Sequence, residues 1–342
     1  VDAIAADVDI EALIANSAPV MSGLSGLLDS VSKFVERFII ITEDQRVAIT
    51  LWIANTHVFN NFETVAYLNP YSAEARSGKT RVLEVLELLV ARPFLTGGTS
   101  AAALYRKVDA EAPTVLFDET DATFKGNADR SEALRGILNT GYRRGGSYTV
   151  CIGTGAAISF QDFSTYSPKA LAGIGRLPNT VGDRSIPIEM KRKAKSEREV
   201  RFTRARVKPQ GKELHDSLKR WAEGSKAHEV EVEVIGALND RAFDIWEPLL
   251  AIASEAGANW YEKAKAAALT LMTDREDNDS IGVSLLTDIR TVFDSKSVDS
   301  IPSKTLAEAL VEMEESSWGE MYGNKTLSVI TMARILKPYG IR

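Results

Sequence analysis

Cysteine and histidine are scarce in this sequence. Among 342 residues there is one cysteine, Cys151, and there are three scattered histidines, His57, His215 and His228. A single cysteine excludes an intrachain disulfide and a cysteine-rich metal site, and dispersed histidines argue against a histidine-based zinc site. One free thiol fits a reducing compartment, so we expect a cytoplasmic protein.

Long apolar runs are also lacking. No stretch approaches the ~20 apolar residues that a bilayer-spanning helix needs, and no basic-then-apolar leader opens the sequence, so we expect no membrane partner. The formal net charge is -6, hence any contact with nucleic acid has to come from a local basic patch. With 44% hydrophobic and 26% charged residues, the composition is that of a globular protein of two or three domains.

The stretch Ser77-Gly78-Lys79-Thr80 matches the closing half of a phosphate-binding loop. The glycine lets the backbone approach a phosphate, Lys79 can reach the β and γ oxygens of ATP, and the Thr80 hydroxyl can bind Mg²⁺. An apolar-periodic run follows, so the N-terminus of a helix would face the anion. Ala73 stands where the usual pattern has its first glycine, and a loop that merely caps a helix is the alternative interpretation. The positions we assign to nucleotide binding are Arg76, Ser77, Gly78, Lys79, Thr80, Arg81 and Asn179.

An acidic pair, Asp118 and Glu119, ends the apolar run that begins at Pro113. At the carboxyl end of a parallel strand beside a phosphate loop, Asp118 would hold Mg²⁺ together with Thr80, and Glu119 would orient and polarise the attacking water. A solvated turn is the alternative. The presence of Gly-Lys-Thr earlier in the chain favours the functional interpretation.

Two arginines are candidates for stabilising charge on the transferred phosphate. Arg184 lies between a turn and a strand, where it would face the γ-phosphate of a neighbouring subunit; an internal salt bridge with Asp183 is the alternative. Arg241 lies near the start of a helix that could close over the nucleotide of its own subunit. No clear polar residue ends the short strand at 173–175, where a residue that senses the γ-phosphate is expected. Asn179 is the substitute candidate for that role.

Nucleic-acid contacts are predicted at a basic turn and, less specifically, at two other segments. Arg143 and Arg144 are the candidates for phosphate contact. The two strands over 147–163 form either a hairpin that grips DNA or a plain surface hairpin. The basic stretch 191–208 is either a nucleic-acid contact or a solvated connector.

Hydrophobic periodicity predicts the remaining elements. Helices are expected from about residue 24, over 43–54 with Thr42 as N-cap, and near the C-terminus over 280–293, 303–315 with Ser303 as N-cap, and 326–336. A first strand is expected at 66–71, although Pro70 weakens it. Residues 273–279 are expected to form an acidic linker, and Trp52 and His57 to be packing residues.

Several segments together resemble a known family. They are Ser72-Ala-Glu-Ala-Arg-Ser-Gly-Lys-Thr, Leu116-Phe-Asp-Glu-Thr-Asp, Leu134-Arg-Gly-Ile-Leu-Asn-Thr-Gly-Tyr-Arg-Arg-Gly, Gly173-Ile-Gly-Arg-Leu-Pro-Asn-Thr-Val-Gly-Asp-Arg, Leu238-Asn-Asp-Arg-Ala-Phe-Asp-Ile-Trp and Leu336-Lys-Pro-Tyr-Gly-Ile. The family is that of P-loop ATPases from actinobacterial phages, prophages and plasmids, often associated with primase domains. The resemblance covers most of the chain from about residue 26. It implies an AAA+-like or helicase-like ATPase linked to replication of mobile-element DNA.

These observations predict an α/β fold, a P-loop NTPase (AAA+-like) core with a parallel sheet. The expected domains are a helical N-terminal segment (1–62), the core with its inserted hairpin (63–208), a helical lid (209–275) and a winged-helix-like domain (276–342). The expected function is Mg²⁺-dependent ATP hydrolysis coupled to DNA in a ring-forming, for example hexameric, replicative helicase. Its partners would be further copies of the chain, single-stranded DNA and a primase or other replication protein. The alternative is an ATP-dependent assembly switch, such as a replication loader or a defence scaffold, that unwinds nothing.

Overall fold

The computed structural model describes residues 23–72, 77–120, 128–153, 158–175, 177–192, 200–279, 281–313, 317–319 and 326–341. The chain divides into two compact units, residues 1–270 and 271–342. The predicted α/β class with a parallel sheet is confirmed in the first unit. The finer division into four domains stays a prediction.

The first unit contains both helices and strands. Its helices are α1 (Gly23–Phe38), α2 (Glu43–Val58), α3 (Lys79–Leu89), α4 (Ala101–Glu111), α5 (Ala128–Thr140), α6 (Asn179–Gly182), α7 (Arg204–Ala222) and α8 (Asp240–Ala256). Helix α9 (Ala258–Asp279) begins in the first unit and ends in the second. The strands are β1 (Tyr67–Ser72), β2 (Pro93–Thr96), β3 (Thr114–Phe117), β4 (Ser147–Ile152), β5 (Ser159–Ser164), β6 (Lys169–Leu171), β7 (Gly173–Ile174) and β8 (Ser185–Glu189). The second unit contains α10 (Ile281–Lys296), α11 (Ser303–Glu312) and α12 (Val329–Leu336).

Six strands form one sheet in which every pairing is parallel. The spatial order is β2, β3, β6, β1, and β1 also pairs with β7 and β8. At Leu68 the strand has Ala170 of β6 on one edge and Ile186 of β8 on the other, and at Tyr71 it has Gly173 of β7 opposite Glu189 of β8. Strands β6 and β7 therefore share one edge of β1, and the chain crosses to the other edge only with β8.

Proline at position 70 does not prevent β1 from occupying the centre of this sheet. Tyr67 and Tyr71 hydrogen-bond toward β8, whereas the carbonyl of Ser72 accepts from Gly175 beyond β7. Since successive residues of a strand face opposite edges, the missing N–H of Pro70 faces β6 and β7. Pro70 lies between the pairs Leu68–Ala170 and Tyr71–Gly173, where the hydrogen-bond ladder changes from β6 to β7. The predicted strand is confirmed because proline costs the ladder no hydrogen bond there.

Helix α2 is buried on nearly all of its faces, as expected for a helix inside the core. Thr42 caps it in a capping box with Gln45, which confirms the predicted N-cap. Trp52 is fully buried and its Nε1 donates to the carbonyl of Ala66 at 2.8 Å, just before β1. The predicted packing role of Trp52 is therefore confirmed, and it fixes α2 to the start of the central strand.

A buried lysine, missed in the sequence, holds the turn that follows α5. Lys169 is fully buried, and its Nζ donates to the carbonyls of Thr165 at 2.8 Å, Ser167 at 2.9 Å and Gly141 at 3.4 Å. Burial lowers the pKa of this lysine to about 7. Only glycine fits at position 141, because a Cβ there would lie 2.3 Å from the carbonyl oxygen of Thr165.

Two boundary predictions near the C-terminus are wrong. The expected linker at 273–279 is helical, since α9 continues to Asp279. Ser303 is the first helical residue of α11, with Pro302 in the N-cap position and no side-chain cap. Polar composition suggested a loop and a serine suggested a cap, but both segments continue helical periodicity.

The second unit has its own hydrophobic core. Leu285, Leu310 and Trp318 are among its most buried residues, and Trp318 Nε1 donates to Asp288 Oδ2 at 2.6 Å. The part of this unit that the structure describes contains helices and no strand. Residues 320–325, which lie between α11 and α12 and where a winged-helix-like domain would have its wing, are outside the described residues.

Across the described ranges, no helix is both long and apolar enough to cross a bilayer.

His57 gives the first unit a pH-dependent stability. Its Nε2 lies 2.8 Å from the carbonyl oxygen of Leu89, so the neutral ring donates from Nε2. Burial lowers the pKa of His57 to about 4, although the Leu89 bond opposes the shift. Because the unfolded histidine has a pKa near ~6.5, the unfolded state binds more protons between these values. Stability is therefore complete above about pH 6.5 and falls as the pH drops toward 4.

We expect wild type to lose about 3 kcal/mol more stability than His57→Gln between pH 7 and 4. The glutamine amide can still donate to Leu89 but does not titrate. Urea unfolding at both pH values measures the difference, and other titrating groups cancel between the two proteins. Equal losses in the two proteins would contradict this account.

Candidate active site

Ser77–Thr80 of the predicted phosphate loop and the acidic pair lie together at the carboxyl ends of the parallel strands. The loop follows β1 and the acidic pair follows β3, and only β6 lies between these strands. At a strand spacing of ~4.8 Å, their ends are roughly 10 Å apart. The strands that follow β1 in the chain lie on one side of it until β8, which pairs with its other side. Ligands of open parallel sheets bind outside the carboxyl ends of the strands at a point where the chain changes sides in this way.

Lys79 is held at the base of the loop by two serines. Its Nζ donates to Ser72 Oγ at 2.6 Å and to Ser77 Oγ at 3.2 Å, and the Ser77 hydroxyl donates to Ser72 Oγ at 2.7 Å. Ser72, the last residue of β1, was missed in the sequence analysis. The signal available was its position at a strand end five residues before Ser77. The intervening residues, including Ala73 and Arg76, lie outside the described part of the chain.

Gly78 supplies a left-handed residue at the N-cap of α3. Its φ is 90°, a conformation that side chains disfavour. A Cβ there would lie 3.6 Å from Met190 Cε, an ordinary contact. The glycine is therefore required by backbone conformation, and not by lack of space.

Thr80 and Asp118 are brought into direct contact. The Thr80 hydroxyl donates to Asp118 Oδ2 at 3.0 Å, the other carboxylate oxygen accepts from the Glu119 N–H at 3.0 Å, and the Asp118 N–H donates to the carbonyl of Thr96 at 2.9 Å. These bonds fix a hydroxyl and a carboxylate oxygen side by side beside Lys79. Two hard oxygen ligands that leave most positions to water and phosphate match the way proteins bind Mg²⁺.

Glu119 is held in a strained backbone conformation. Its φ is 57°, which costs a non-glycine residue roughly 1–2 kcal/mol. Its neighbours are anchored: Asp118 as above, and Thr120 by bonds from N–H at 3.0 Å and Oγ1 at 3.1 Å to the carbonyl of Ala172. The side chain of Glu119 itself is exposed. Strain that persists between anchored neighbours is typical of functional residues.

Arg81 points away from this group. It forms an ion pair with Glu84 at 2.7 Å and its guanidinium lies 4.6 Å from the ring centroid of Phe202. Asn179 is the first residue of α6, and its side chain lies outside the described part. The nucleotide-binding roles of these two residues stay predictions.

Arg184 and Arg241 lie at the opposite side of the sheet, near the amino ends of its parallel strands. The carbonyl of Arg184 accepts from the N–H of Tyr67, the first residue of β1. Its guanidinium lies 4.8 Å from the ring centroid of Tyr142, and that of Arg241 lies 5.9 Å from the same centroid. The six residues of β1 span roughly 17 Å and separate this cluster from the phosphate loop.

The predicted role of Arg241 toward the phosphates of its own subunit stays a prediction. In this structure its guanidinium lies beside Tyr142, at the amino ends of the strands. The predicted role of Arg184 toward a neighbouring subunit is compatible with this edge. Burial, and after it the charge of Arg241, lower the pKa of Arg184, while Tyr142, Tyr67 and the carboxylate of Asp183 oppose the shift.

Arg143 and Arg144 both have partners within the first unit. Arg143 forms an ion pair with Asp244 at 3.1 Å. The guanidinium of Arg144 donates to the carbonyl of Phe62 at 3.0 Å and to that of Asn60. These bonds tie the turn after α5 to the segment before β1. Phosphate contact by these arginines stays a prediction, and it would compete with the internal bonds.

The predicted hairpin is confirmed as strands β4 and β5, paired in antiparallel register. Its base packs on α4 through Phe163, whose ring centroid lies 4.7 Å from that of Tyr105. Toward its tip Phe160 is 76% exposed and Ile158 is 58% exposed. The sequence 147–164 contains no Lys, Arg or His. Ile158, just before β5, and Phe160 on β5 are therefore exposed apolar side chains toward the tip.

Comparison with known proteins adds a family match over the C-terminal part. Residues 189–342 match the family described as "Protein of unknown function (DUF3631)". This segment begins at the end of β8 and includes Arg241, but it contains neither the phosphate loop nor the acidic pair. The chain is also 32% identical over 134 residues to an "Uncharacterized 28.9 kDa protein in xis 5'region" of Saccharopolyspora erythraea. That match covers 38% of this chain and 49% of the relative, so the chain spans about half of the relative's length.

Two solved structures show low overall similarity. An apo structure of the NrS-1 C-terminal region matches with a TM-score of 0.35 and 14% identity, covering 93% of this chain and 70% of that one. The structure of JCV helicase matches with a TM-score of 0.30 and 12% identity, covering 78% and 63%. Similarity at this level defines neither the fold nor the activity of this chain.

The strain at Glu119 predicts an unusual order of stabilities for two variants. Both Glu119→Gly and Glu119→Ala remove the carboxylate, but only glycine adopts a φ of 57° without strain. We expect Glu119→Gly to be about 1 kcal/mol more stable than Glu119→Ala, measured by urea unfolding. As a control, Glu111→Gly, in the last turn of α4, should be less stable than Glu111→Ala. An equal or reversed order at position 119 would show that the backbone relaxes there at no cost.

Proposed function

We propose that this chain is a Mg²⁺-dependent ATPase with a P-loop, AAA+-like core. The observation that supports it most directly is the 3.0 Å hydrogen bond between Thr80 and Asp118, beside the Lys79 ammonium at the N-terminus of α3. A nucleotide site needs a cation for the phosphates, oxygen ligands for the metal and free N–H groups for the anion. In this proposal, Lys79, the Thr80 and Asp118 oxygens and the N-terminus of α3 would supply these three groups at the carboxyl ends of β1 and β3.

Each residue of the group has a distinct role in this proposal. Lys79 exchanges its two serine partners for phosphate oxygens, and α3 directs its N-terminal N–H groups at the same phosphates. Thr80 and Asp118 hold Mg²⁺, which when bound neutralises the charge on the β and γ oxygens. Glu119 orients the attacking water and accepts its proton. The strained backbone at Glu119 would hold its exposed carboxylate in place for this role.

Two single substitutions separate binding from hydrolysis. Glu119→Gln should keep ATP affinity within about threefold and lower turnover at least about a hundredfold, since only the proton acceptor is lost. Lys79→Ala should weaken ATP binding at least about tenfold, because a charge-assisted contact to phosphate disappears. Fluorescent-nucleotide titration and phosphate release measure the two effects. The matched controls are Glu111→Gln and Lys107→Ala, which remove the ion pair on α4 and should change neither quantity.

A wild-type rate in Glu119→Gln would remove Glu119 as the base. Unchanged ATP binding in Lys79→Ala would argue against the phosphate loop itself.

We further propose that the ATPase acts on DNA as a ring-forming replicative helicase of a phage or other mobile element. The resemblance of the motifs to mobile-element ATPases supports this, and so does the position of Arg184 at an edge away from its own phosphate loop. A ring would bring that edge to the nucleotide of the next subunit. Single-stranded DNA and a primase or other replication protein are the proposed partners. The second unit would serve as a winged-helix-like module.

An ATP-dependent assembly switch is the second candidate, and two observations favour it. Arg144, one of the two arginines expected to contact DNA, instead donates hydrogen bonds to the carbonyl of Phe62. The hairpin, moreover, carries exposed apolar side chains and no basic residue. Such a surface suits contact between proteins better than contact with phosphates.

The response to DNA discriminates between the two candidates. For a helicase we expect single-stranded DNA to raise the ATPase rate at least about threefold and ATP to drive unwinding of a forked duplex. The stimulation should fall with added salt, because phosphate contacts release counterions. For a switch, ATP should change the oligomeric state measured by light scattering, and DNA should leave the ATPase rate unchanged. Glu119→Gln serves as the control that binds ATP without turning it over.

A further inference from the structure

The segment that connects α7 to α8 has the sequence of a β-strand. It contains Glu229-Val-Glu-Val-Glu-Val-Ile235, in which glutamate and valine alternate. Such a period of two is typical of a strand with one apolar and one polar face. Val230 and Val232 are half-buried, whereas Glu231 and Glu233 are exposed. Among the described residues, however, this segment belongs to neither of the two sheets.

The segment is held at both ends and open in the middle. At its start the N–H of Val230 donates to the carbonyl of Ala227 at 3.1 Å, and at its end the carbonyl of Ile235 accepts from the N–H of Leu238 at 2.9 Å. Residues 231–234 form no backbone hydrogen bond within the described part of the chain. Their N–H and C=O groups are therefore available to a further strand. Val234 is 69% exposed, so apolar surface accompanies the open backbone.

One outer edge of the main sheet, that of β8, is closed to a further strand. The carbonyl of Arg184 bonds to β1, so alternate residues from Ser185 onward face outward. Ser185 is buried and Pro187 has no N–H to offer. The carbonyl of Glu189 already accepts from Gln45 Nε2 at 3.1 Å. Little of this edge is left for pairing.

The opposite outer edge, that of β2, is open. This strand pairs only with β3, and the carbonyls of Arg92 and Thr96 accept hydrogen bonds from that side. Pro93, Leu95 and Gly97 therefore face outward. Leu95 is 42% exposed, and a Cβ added at Gly97 would meet no atom within 4 Å. Although proline offers no N–H, those of Leu95 and Gly97 remain for a pairing strand.

The charges at β2 are opposite to those of the free segment. Arg92 directly precedes β2, is exposed, and forms no ion pair with a described residue. Glu231 and Glu233 likewise have no ion-pair partner in the described ranges. Opposite charges on neighbouring strands stabilise their pairing. The hairpin of β4 and β5 is a poorer match, because it has no basic residue and its Asp162 would repel the glutamates.

We propose that residues 230–234 add as a strand to the outer edge of β2 in a second copy of this chain. Backbone hydrogen bonds supply the pairing, and Glu231 and Glu233 lie near Arg92 of the second copy. Because the two surfaces differ, each copy gives its strand to one neighbour and receives a strand from another, which produces a ring or a filament. The inference rests on the proposed self-association, for which it names the contact, and it does not depend on ATP hydrolysis.

The first experiment cross-links two variants of the full chain with a short bismaleimide. Both carry Cys151→Ser, which removes the single cysteine of the sequence. One adds Val234→Cys, and the other adds Leu95→Cys and a tag that changes its mass. Since paired strands lie ~5 Å apart, we expect at least about fivefold more mixed dimer than from Val234→Cys with Ile330→Cys. Ile330 on α12 is 82% exposed and is therefore the matched control.

The second experiment reverses the charges and measures association by light scattering over a concentration series. Glu231→Lys with Glu233→Lys should raise the concentration of half-association at least about tenfold, because two attractions become repulsions. Adding Arg92→Glu should recover part of this loss, which misfolding of the double variant would not allow. Glu223→Lys with Glu262→Lys is the matched control, because these exposed glutamates change the net charge equally. It should leave association unchanged.

The inference is overturned if the mixed dimer is no more abundant than in the control pair, or if both charge reversals act alike. Its failure is separable from failure of the proposed function. Association without this cross-link would place the subunit contact elsewhere and leave the proposed ring intact. A chain that stays monomeric would refute the ring and the strand addition together. A chain that cross-links as expected but hydrolyses no ATP would refute the ATPase alone.

Discussion

The hydrogen bonding of β1 along both of its edges is the constraint on which the first unit depends. This strand receives β6 and β7 on one side and β8 on the other, so its direction sets that of the whole sheet. Its carboxyl end carries Ser72 and the phosphate loop, and its amino end adjoins Arg184 and Tyr142. The two groups of charged residues are therefore held at opposite ends of the same strand.

The candidate active site is arranged so that internal partners occupy groups that a nucleotide would use. Ser72 and Ser77 accept from Lys79, and Thr80 donates to Asp118. In the proposed ATPase, each of these bonds would be exchanged for a bond to phosphate or metal. Such preorganisation lowers the cost of binding, because the side chains are already confined near their working positions. The strain at Glu119 contributes to the same end, since its neighbours hold it whether or not ligand is bound.

Buried polar contacts connect the helical layers to the sheet. Trp52 bonds to the carbonyl that precedes β1, His57 joins α2 to the end of α3, and Lys169 gathers three carbonyls beneath the turn that carries Tyr142. Satisfied buried donors of this kind specify one packing arrangement, since any shift would leave them without partners. Lys169 also bonds to the carbonyl of Gly141, the residue before Tyr142.

Local signals in the sequence were sufficient for the class of fold, for most elements and for the grouping of Lys79, Thr80, Asp118 and Glu119. These features depend on hydrophobic period, on Gly78 and on acids that follow an apolar strand, all of which act within a few residues. The sequence could not reveal that Ser72 binds Lys79, that Pro70 sits in a gap of the ladder, or that Arg241 lies beside Arg184. Those facts depend on which strand lies next to which and on how α8 packs, and such long-range contacts are decided only when the whole unit folds. The motif by itself therefore predicted which side chains gather at the carboxyl ends of the strands, whereas tertiary packing alone placed Arg184 and Arg241 at the amino ends.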